Sequence, residues 1–254
     1  MQMNRPLVAI AAYNESRHIA AVLDELHKHA FDILVVDDGS IDSTPEILRQ
    51  YPRINVIRHV KNQGYGAALR AAFQFGRQKG YKVVVTMDAD GQHVASWIPP
   101  FLETAESCDI VSGSRYLEDF SENTPAPNER RRINLLVTDQ LNAALGLSLT
   151  DAFCGFKAYR TEALARLHLV EDGYGMPLEL WIQAACLGLA IREIAVPRIY
   201  LDPNRSFGAK LDDAEARLVY YQQVIDRTMK RIKHVGDCGL PYPQLLTSFA
   251  KADA

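Results

Sequence analysis

The chain has 254 residues, 48% of them hydrophobic, which provides for a sizeable buried core and excludes global disorder. Its 28 basic residues are set against 31 acidic ones, for a net charge of −3. That balance excludes a bulk-basic nucleic-acid binder, and the length fits one large domain or two small ones.

The first half alternates short apolar runs with helical periods. Residues 6–12 read as a buried strand, and 16–29 as a helix with apolar residues at Ile19, Val22, Leu23 and Leu26 and with Ser16 placed to cap it. Residues 32–37 are a second strand, 42–50 a short helix that tolerates Pro45 in its first turn, and 53–59 a third strand. An Ala-rich helix over 64–80 leads to a fourth strand at 81–87, a helix at 96–106 and a fifth strand at 109–112. Strands separated by helices predict crossover connections and an α/β fold with a mostly parallel sheet flanked by helices. Ligands of such sheets bind at the carboxyl ends of the strands, where this chain places Tyr13, Asn14 and Glu15, then Asp37 and Asp38, then Asp88 and Asp90.

The second half is less regular. Residues 116–128 read as a loop, 129–147 as an amphipathic helix opening on Arg130, Arg131 and Arg132, and 152–159 as a strand. A helix at 176–189, a strand at 191–200, a polar loop at 202–208 and a long helix at 211–232 follow, with an aperiodic tail from 236. We expect one unit spanning 1–235, divided into halves at 6–115 and 116–235, with the tail at 236–254 outside it.

Cys108, Cys154, Cys186 and Cys238 form no CxxC and no zinc-finger spacing, so reduced cytosolic thiols are expected. The N-terminus has no signal-peptide core. The most apolar stretch, 180–191, falls short of the roughly 20 residues a spanning helix needs. A cytoplasmic protein, or one lying on a membrane surface, is expected.

Several clusters carry chemistry. Asp88 and Asp90 sit at i and i+2 beyond a buried strand, with Gln92 two residues on. Two carboxylates and an amide oxygen are hard ligands suited to Mg2+ or Mn2+, and such ions complete their shell with substrate phosphates. A solvated turn with capping acids has the same sequence. Asp38 can accept hydrogen bonds from a base or ribose, or serve only as a turn residue. The run Gly64-Tyr65-Gly66-Ala67-Ala68-Leu69 lacks the third glycine of a dinucleotide fingerprint, and it follows the third strand rather than the first. Gly66 is read instead as allowing backbone to approach a nucleotide at a helix N-terminus. Arg205 and Lys210 flank Gly208 in a loop that can close on a diphosphate, and Arg115 follows the fifth strand. The basic start of the 129–147 helix suits anionic headgroups, or simply solvent.

Ala12-Tyr13-Asn14-Glu15, the run from Val35 through Asp37-Asp38-Gly39-Ser40 to Thr44, and Met87-Asp88-Ala89-Asp90-Gly91-Gln92-His93 together resemble the family 2 glycosyltransferases of GT-A fold. Gly155-Phe156-Lys157-Ala158-Tyr159-Arg160 and the loop from Arg205 to Lys210 resemble the dolichyl-phosphate mannosyltransferase-like branch. Two positions depart from that branch: Gly91 where leucine is common, and Ala209 where serine is. The resemblance implies a GT-A fold with a Rossmann-like sheet and a less regular acceptor side. It implies that Ala12, Tyr13, Glu15, Asp38, Gly66, Asp88, Ala89 and Asp90 bind a nucleotide sugar, GDP-mannose or UDP-glucose. It implies that Asp88, Asp90 and Gln92 hold Mg2+ or Mn2+, and that Arg115 and Arg131 meet the acceptor phosphate. Asp90, Arg115, Arg205 and Lys210 would be catalytic. The implied reaction inverts the sugar on transfer to a polyprenyl phosphate, dolichyl or undecaprenyl, at the cytoplasmic membrane face. A membrane-anchoring partner subunit is one route to that face, since the resemblance includes some relatives that lack membrane helices and rely on partners. A soluble sugar or small hydroxyl acceptor, and a non-catalytic nucleotide-sugar-binding subunit, are the alternatives. A hydroxyl acceptor needs a general base, for which Asp151 and Glu179 are the candidates.

Overall fold

The computed structural model describes residues 5–201, 208 and 211–235. Seven strands form one sheet in the order β3-β2-β1-β4-β6-β5-β7. They are β1 (Leu7–Ala12), β2 (Asp32–Asp37), β3 (Asn55–Arg58), β4 (Val83–Asp88), β5 (Ile110–Ser114), β6 (Lys157–Arg160) and β7 (Ile191–Ala195). All pairs are parallel except those of β6, which runs antiparallel to both β4 and β5. The expected α/β architecture is therefore observed, with β6 and β7 of the second half completing the sheet of the first.

Burial on both faces explains the apolar runs. Leu7 and Ala9 of β1 point into one core layer, with Phe73 and Leu141, while Val8, Ile10 and Ala12 point into the other, with Leu23 and Phe101. The helices are α1 (Ile19–Leu26), α2 (Thr44–Leu48), α3 (Tyr65–Lys79), α4 (Ile98–Thr104), α5 (Asn128–Leu145), α6 (Thr161–Leu164), α7 (Met176–Cys186) and α8 (Ala214–Val235).

Four sequence expectations are corrected. Ser16 does not cap α1, which starts three residues later; its N–H donates to Asp42 Oδ2 at 3.1 Å. The strand expected over 152–159 begins only at Lys157, because the segment before it folds back as a turn. The strand expected over 191–200 ends at Ala195; Val196 N still reaches Ser114 O, but the N–H groups of Arg198 and Tyr200 bond to Asn123 and Thr124 instead of to the sheet. Cys186 is disulfide-bonded, whereas Cys108 and Cys154 are free and buried. Spacing along the chain said nothing about which thiols approach in space, and the argument from thiols to compartment falls with it. Among the described residues, no helix is long and apolar enough to cross a membrane.

Candidate active site at the sheet switch point

The strand order reverses between β1 and β4, leaving a crevice beyond their carboxyl ends. Tyr13 stands at its rim, 42% exposed, just past β1. Asp88 closes β4 and Asp90 follows in the turn. Ala12 and Ala89 are buried beneath.

Asp88 is the open carboxylate of this turn, with its side chain 31% exposed. Tyr65, at the start of α3, donates its hydroxyl to Asp88 Oδ1 at 3.1 Å. His93 stacks on Phe156 and accepts the Asp88 backbone N–H at Nδ1, 3.0 Å, which leaves its proton on Nε2, 3.8 Å from Asp88 Oδ2. Burial lowers the His93 pKa, outweighing the neighbouring Asp88 and Asp90, and so favours the neutral ring. Asp90 is buried, and its Oδ1 accepts the Gln92 N–H at 3.0 Å, which curls the turn. The described residues contain no cluster of three or more histidine, cysteine or acidic side chains suited to a metal. The donor set is instead two carboxylates and an amide oxygen. It fits a hard cation whose remaining ligands come from a diphosphate, since Asp88 is reachable and each of its oxygens keeps a lone pair.

The second pole lies past β5. Arg115 grips Asp151 through Nε at 2.6 Å and Nη2 at 2.9 Å. Asp151 is fully buried and also accepts from Asn134 Nδ2 at 2.7 Å and Phe153 N at 3.2 Å. Burial alone would raise the Asp151 pKa; Arg115 and Asn134 outweigh it and hold the carboxyl below its ordinary value. Glu193 of β7 accepts the N–H groups of Thr150 and Asp151, fixing this turn from behind. Tyr116 receives three guanidinium groups around its ring: Arg131 at 3.6 Å, and Arg115 and Arg198 each at 5.6 Å from the centroid. Arg131, Arg198 and Tyr116 line a pocket of about 270 Å³ together with Glu118 and Asp119. Buried Arg131 Nη1 has no hydrogen-bond partner among the described residues.

Several expected site residues make contacts within the protein. Asp38 is buried, and its carboxylate already accepts His59 Nδ1 at 2.6 Å, Gln63 N at 3.0 Å and Gly64 N at 2.7 Å, so it shapes the loop before α3. Gly66 approaches protein, not open cleft: a Cβ there would fall 2.2 Å from the Glu171 carbonyl oxygen. Glu15 is buried, with its N–H on Thr44 Oγ1 at 2.9 Å. Asp151 is saturated by donors, so it positions Arg115 and offers no free lone pair to an acceptor hydroxyl. Glu179 is likewise buried, accepting Val170 N at 2.8 Å, Glu171 N at 2.7 Å and Arg231 Nη1; it braces α7 against α8. Arg205 and Lys210 lie outside the described residues. The sequence reading missed Tyr65, Asn134, Tyr116 and Arg198. Of these, only Tyr65 sat inside a motif already singled out.

A family model described as glycosyl transferase family 2 matches residues 7–167. The chain is 33% identical over 201 residues to an undecaprenyl-phosphate mannosyltransferase of Micrococcus luteus, covering 76% of this chain and 82% of that one. It is 31% identical over 204 residues to a polyprenol monophosphomannose synthase of Mycolicibacterium smegmatis, covering 76% of each. Among solved structures, a glucosyl-3-phosphoglycerate synthase of Mycobacterium tuberculosis with Mn2+, UDP and phosphoglyceric acid superposes with a TM-score of 0.66. That match covers 93% of this chain and 79% of the other at 22% identity, which is a likeness of fold. With its sheet, its switch-point carboxylates and these relatives, the chain belongs to glycosyl transferase family 2: it is a GT-A glycosyltransferase of the dolichyl-phosphate mannosyltransferase-like branch.

Proposed function

We propose that this enzyme transfers a hexosyl group, with inversion, from a nucleotide-diphosphate sugar (GDP-mannose or UDP-glucose) to the phosphate of a polyprenyl phosphate. The observation that carries the reading is the contrast in acids. Asp88 is open beside the crevice, whereas Asp151 and Glu179, the candidates for a general base, are buried and saturated with donors. An acceptor hydroxyl would need a base to take its proton. A phosphate monoester needs none, because its oxygen is already anionic, and the guanidinium groups around Tyr116 suit it. The polyprenyl-phosphate specificity of the relatives' names agrees with this acceptor.

In the proposed reaction an acceptor phosphate oxygen bonds to the anomeric carbon as the bond to the diphosphate oxygen breaks. The products are the glycosyl phospholipid and a nucleoside diphosphate. Asp88, Asp90 and Gln92 would hold Mg2+ or Mn2+, which when bound neutralises charge on the departing diphosphate. Tyr13 offers an exposed ring at the nucleoside side. Arg115, held in place by Asp151, would supply positive charge to the substrate phosphates, and Arg131 would orient the acceptor phosphate. Arg205 and Lys210 complete the cationic side in this reading. The basic start of α5, with exposed Leu135 and Leu136 further along, supports peripheral contact with a membrane, either direct or through an anchoring partner.

The test is transfer by purified protein, using a panel of nucleotide sugars, Mg2+ or Mn2+, and undecaprenyl or dolichyl phosphate in detergent. Metal-dependent transfer to lipid is expected, with Asp90→Asn slower by about 10²–10³-fold, the typical cost of an electrostatic group serving the leaving charge. Donor turnover that reaches only soluble hydroxyl acceptors would replace the lipid reading. Donor binding without turnover would point to a non-catalytic nucleotide-sugar-binding subunit, and absence of donor binding would overturn the reading.

A further inference from the structure

Asp88 is the one acid of the turn whose side chain is open to the crevice, yet it is held on several sides. Tyr65 hydrogen-bonds Oδ1, and the His93 ring stands opposite Oδ2. Gly155 backs the group so closely that a Cβ there would lie 2.6 and 2.7 Å from the two oxygens. Tyr65 is itself fixed. Gly64 on one side of it and Gly66 on the other both press against the 171–173 turn, and Ala67 N donates to Asp172 O at 3.1 Å. Its ring stacks on Tyr174 at 5.8 Å and 16°. The phenol is therefore aimed by helix and loop packing at one oxygen of a carboxylate that the functional reading assigns to a cation.

We infer that Tyr65 is a positioning residue for divalent-cation binding. Its hydroxyl, with Gly155 behind, fixes the Asp88 carboxylate so that a defined lone-pair face meets the cation. A carboxylate free to rotate would have to be ordered on each binding event, and a partner outside the ligand set removes that cost before the cation arrives. The inference rests on the functional reading above.

The test measures Mn2+ binding itself, by the electron paramagnetic resonance of free Mn2+ titrated with full-length protein in the presence of GDP or UDP. Tyr65→Phe removes one oxygen and keeps the stacked ring. It is expected to weaken Mn2+ binding by about 10-fold, the lower end for loss of a ligand-orienting partner. Transfer at saturating Mn2+ is expected to stay near wild type, so the half-saturating metal concentration moves and kcat does not. Gly155→Ala crowds the same carboxylate from behind without touching Tyr65, and is expected to weaken Mn2+ binding as well. It carries the test if Tyr65→Phe does not fold. A folded Tyr65→Phe protein with wild-type Mn2+ affinity overturns the inference alone, as does an unchanged Gly155→Ala where that variant stands in. A wild-type protein that binds no Mn2+ in the presence of nucleotide overturns the functional reading first and the inference with it.

Discussion

The two poles of the crevice use the same side-chain types in opposite ways. At the end of β4, Asp88 keeps almost a third of its side chain open and takes one firm side-chain hydrogen bond, from Tyr65. Past β5, Asp151 is sealed and receives a bidentate arginine, an asparagine and backbone N–H groups. On the sealed side Arg115 is anchored through its acid, and Arg131 lies over Tyr116 with one buried nitrogen that has no partner among the described residues. An acid with spare lone pairs can receive a ligand, whereas an acid with none can only hold the group that does. Charge type alone does not separate these roles; the count of donors already spent does.

The sharpest way to break the contrast is to remove the sealed charge. Asp151→Asn leaves Arg115 buried without its anion, and losing one partner of such a pair costs about 3–5 kcal/mol. A large fall in melting temperature is expected at pH 7, read by calorimetry, together with lost transfer. The pH dependence follows from the lowered Asp151 pKa. A carboxyl whose folded pKa lies below its unfolded value contributes stability that is present above the unfolded value, about 4, and lost as pH falls through the folded one. Wild-type protein should therefore lose stability steeply below about pH 4, and the variant should show a flatter acid limb. Parallel acid limbs for the two proteins would show that Asp151 is not the anchor.

The same contrast explains what the sequence revealed and what it hid. Strands β1, β2 and β4 are buried on both faces, so they appear as apolar runs that end in polar residues, and the donor-side acids were legible there. Strand β6 is four residues, KAYR, and does not look buried; Lys157 is nonetheless covered, donating to the Cys154 carbonyl oxygen and lying 5.3 Å from the Trp181 ring. Asp151 read as a candidate general base because its saturation depends on Asn134 and Arg115, which come to it from α5 and the end of β5. Gly66 read as a phosphate approach because a glycine in a helix's first turn has that meaning locally. Here the close neighbour is Glu171, more than a hundred residues away along the chain.

Glu179 tests whether saturation is a reliable guide. Glu179→Gln exchanges a charged acceptor for a neutral one opposite Arg231 and two backbone N–H groups. Hydrogen bonds to charged groups contribute about 1.5–3 kcal/mol, so the melting temperature should fall by a matching amount. Below that temperature kcat and KM should match wild type, since the residue only braces α7. A kcat loss of 100-fold with unchanged melting would restore Glu179 as a base and reopen the hydroxyl-acceptor reading.

The smallest effect sharpens the cationic side. Arg131→Lys keeps the positive charge but loses the flat guanidinium that lies 3.6 Å from the Tyr116 ring centroid. It also loses the fixed pair of N–H groups that suits a phosphate. A cation over an aromatic ring is worth about 1 kcal/mol at a partly exposed site, which corresponds to about fivefold in affinity. The expectation is a KM for the phosphorylated acceptor raised about fivefold, with the KM for the nucleotide sugar and kcat nearly unchanged. Donor hydrolysis without acceptor supplies the internal control, because Arg131 is assigned no part in it. If donor KM rises instead, the guanidinium groups around Tyr116 serve the leaving diphosphate, and the acceptor phosphate must bind elsewhere along the crevice.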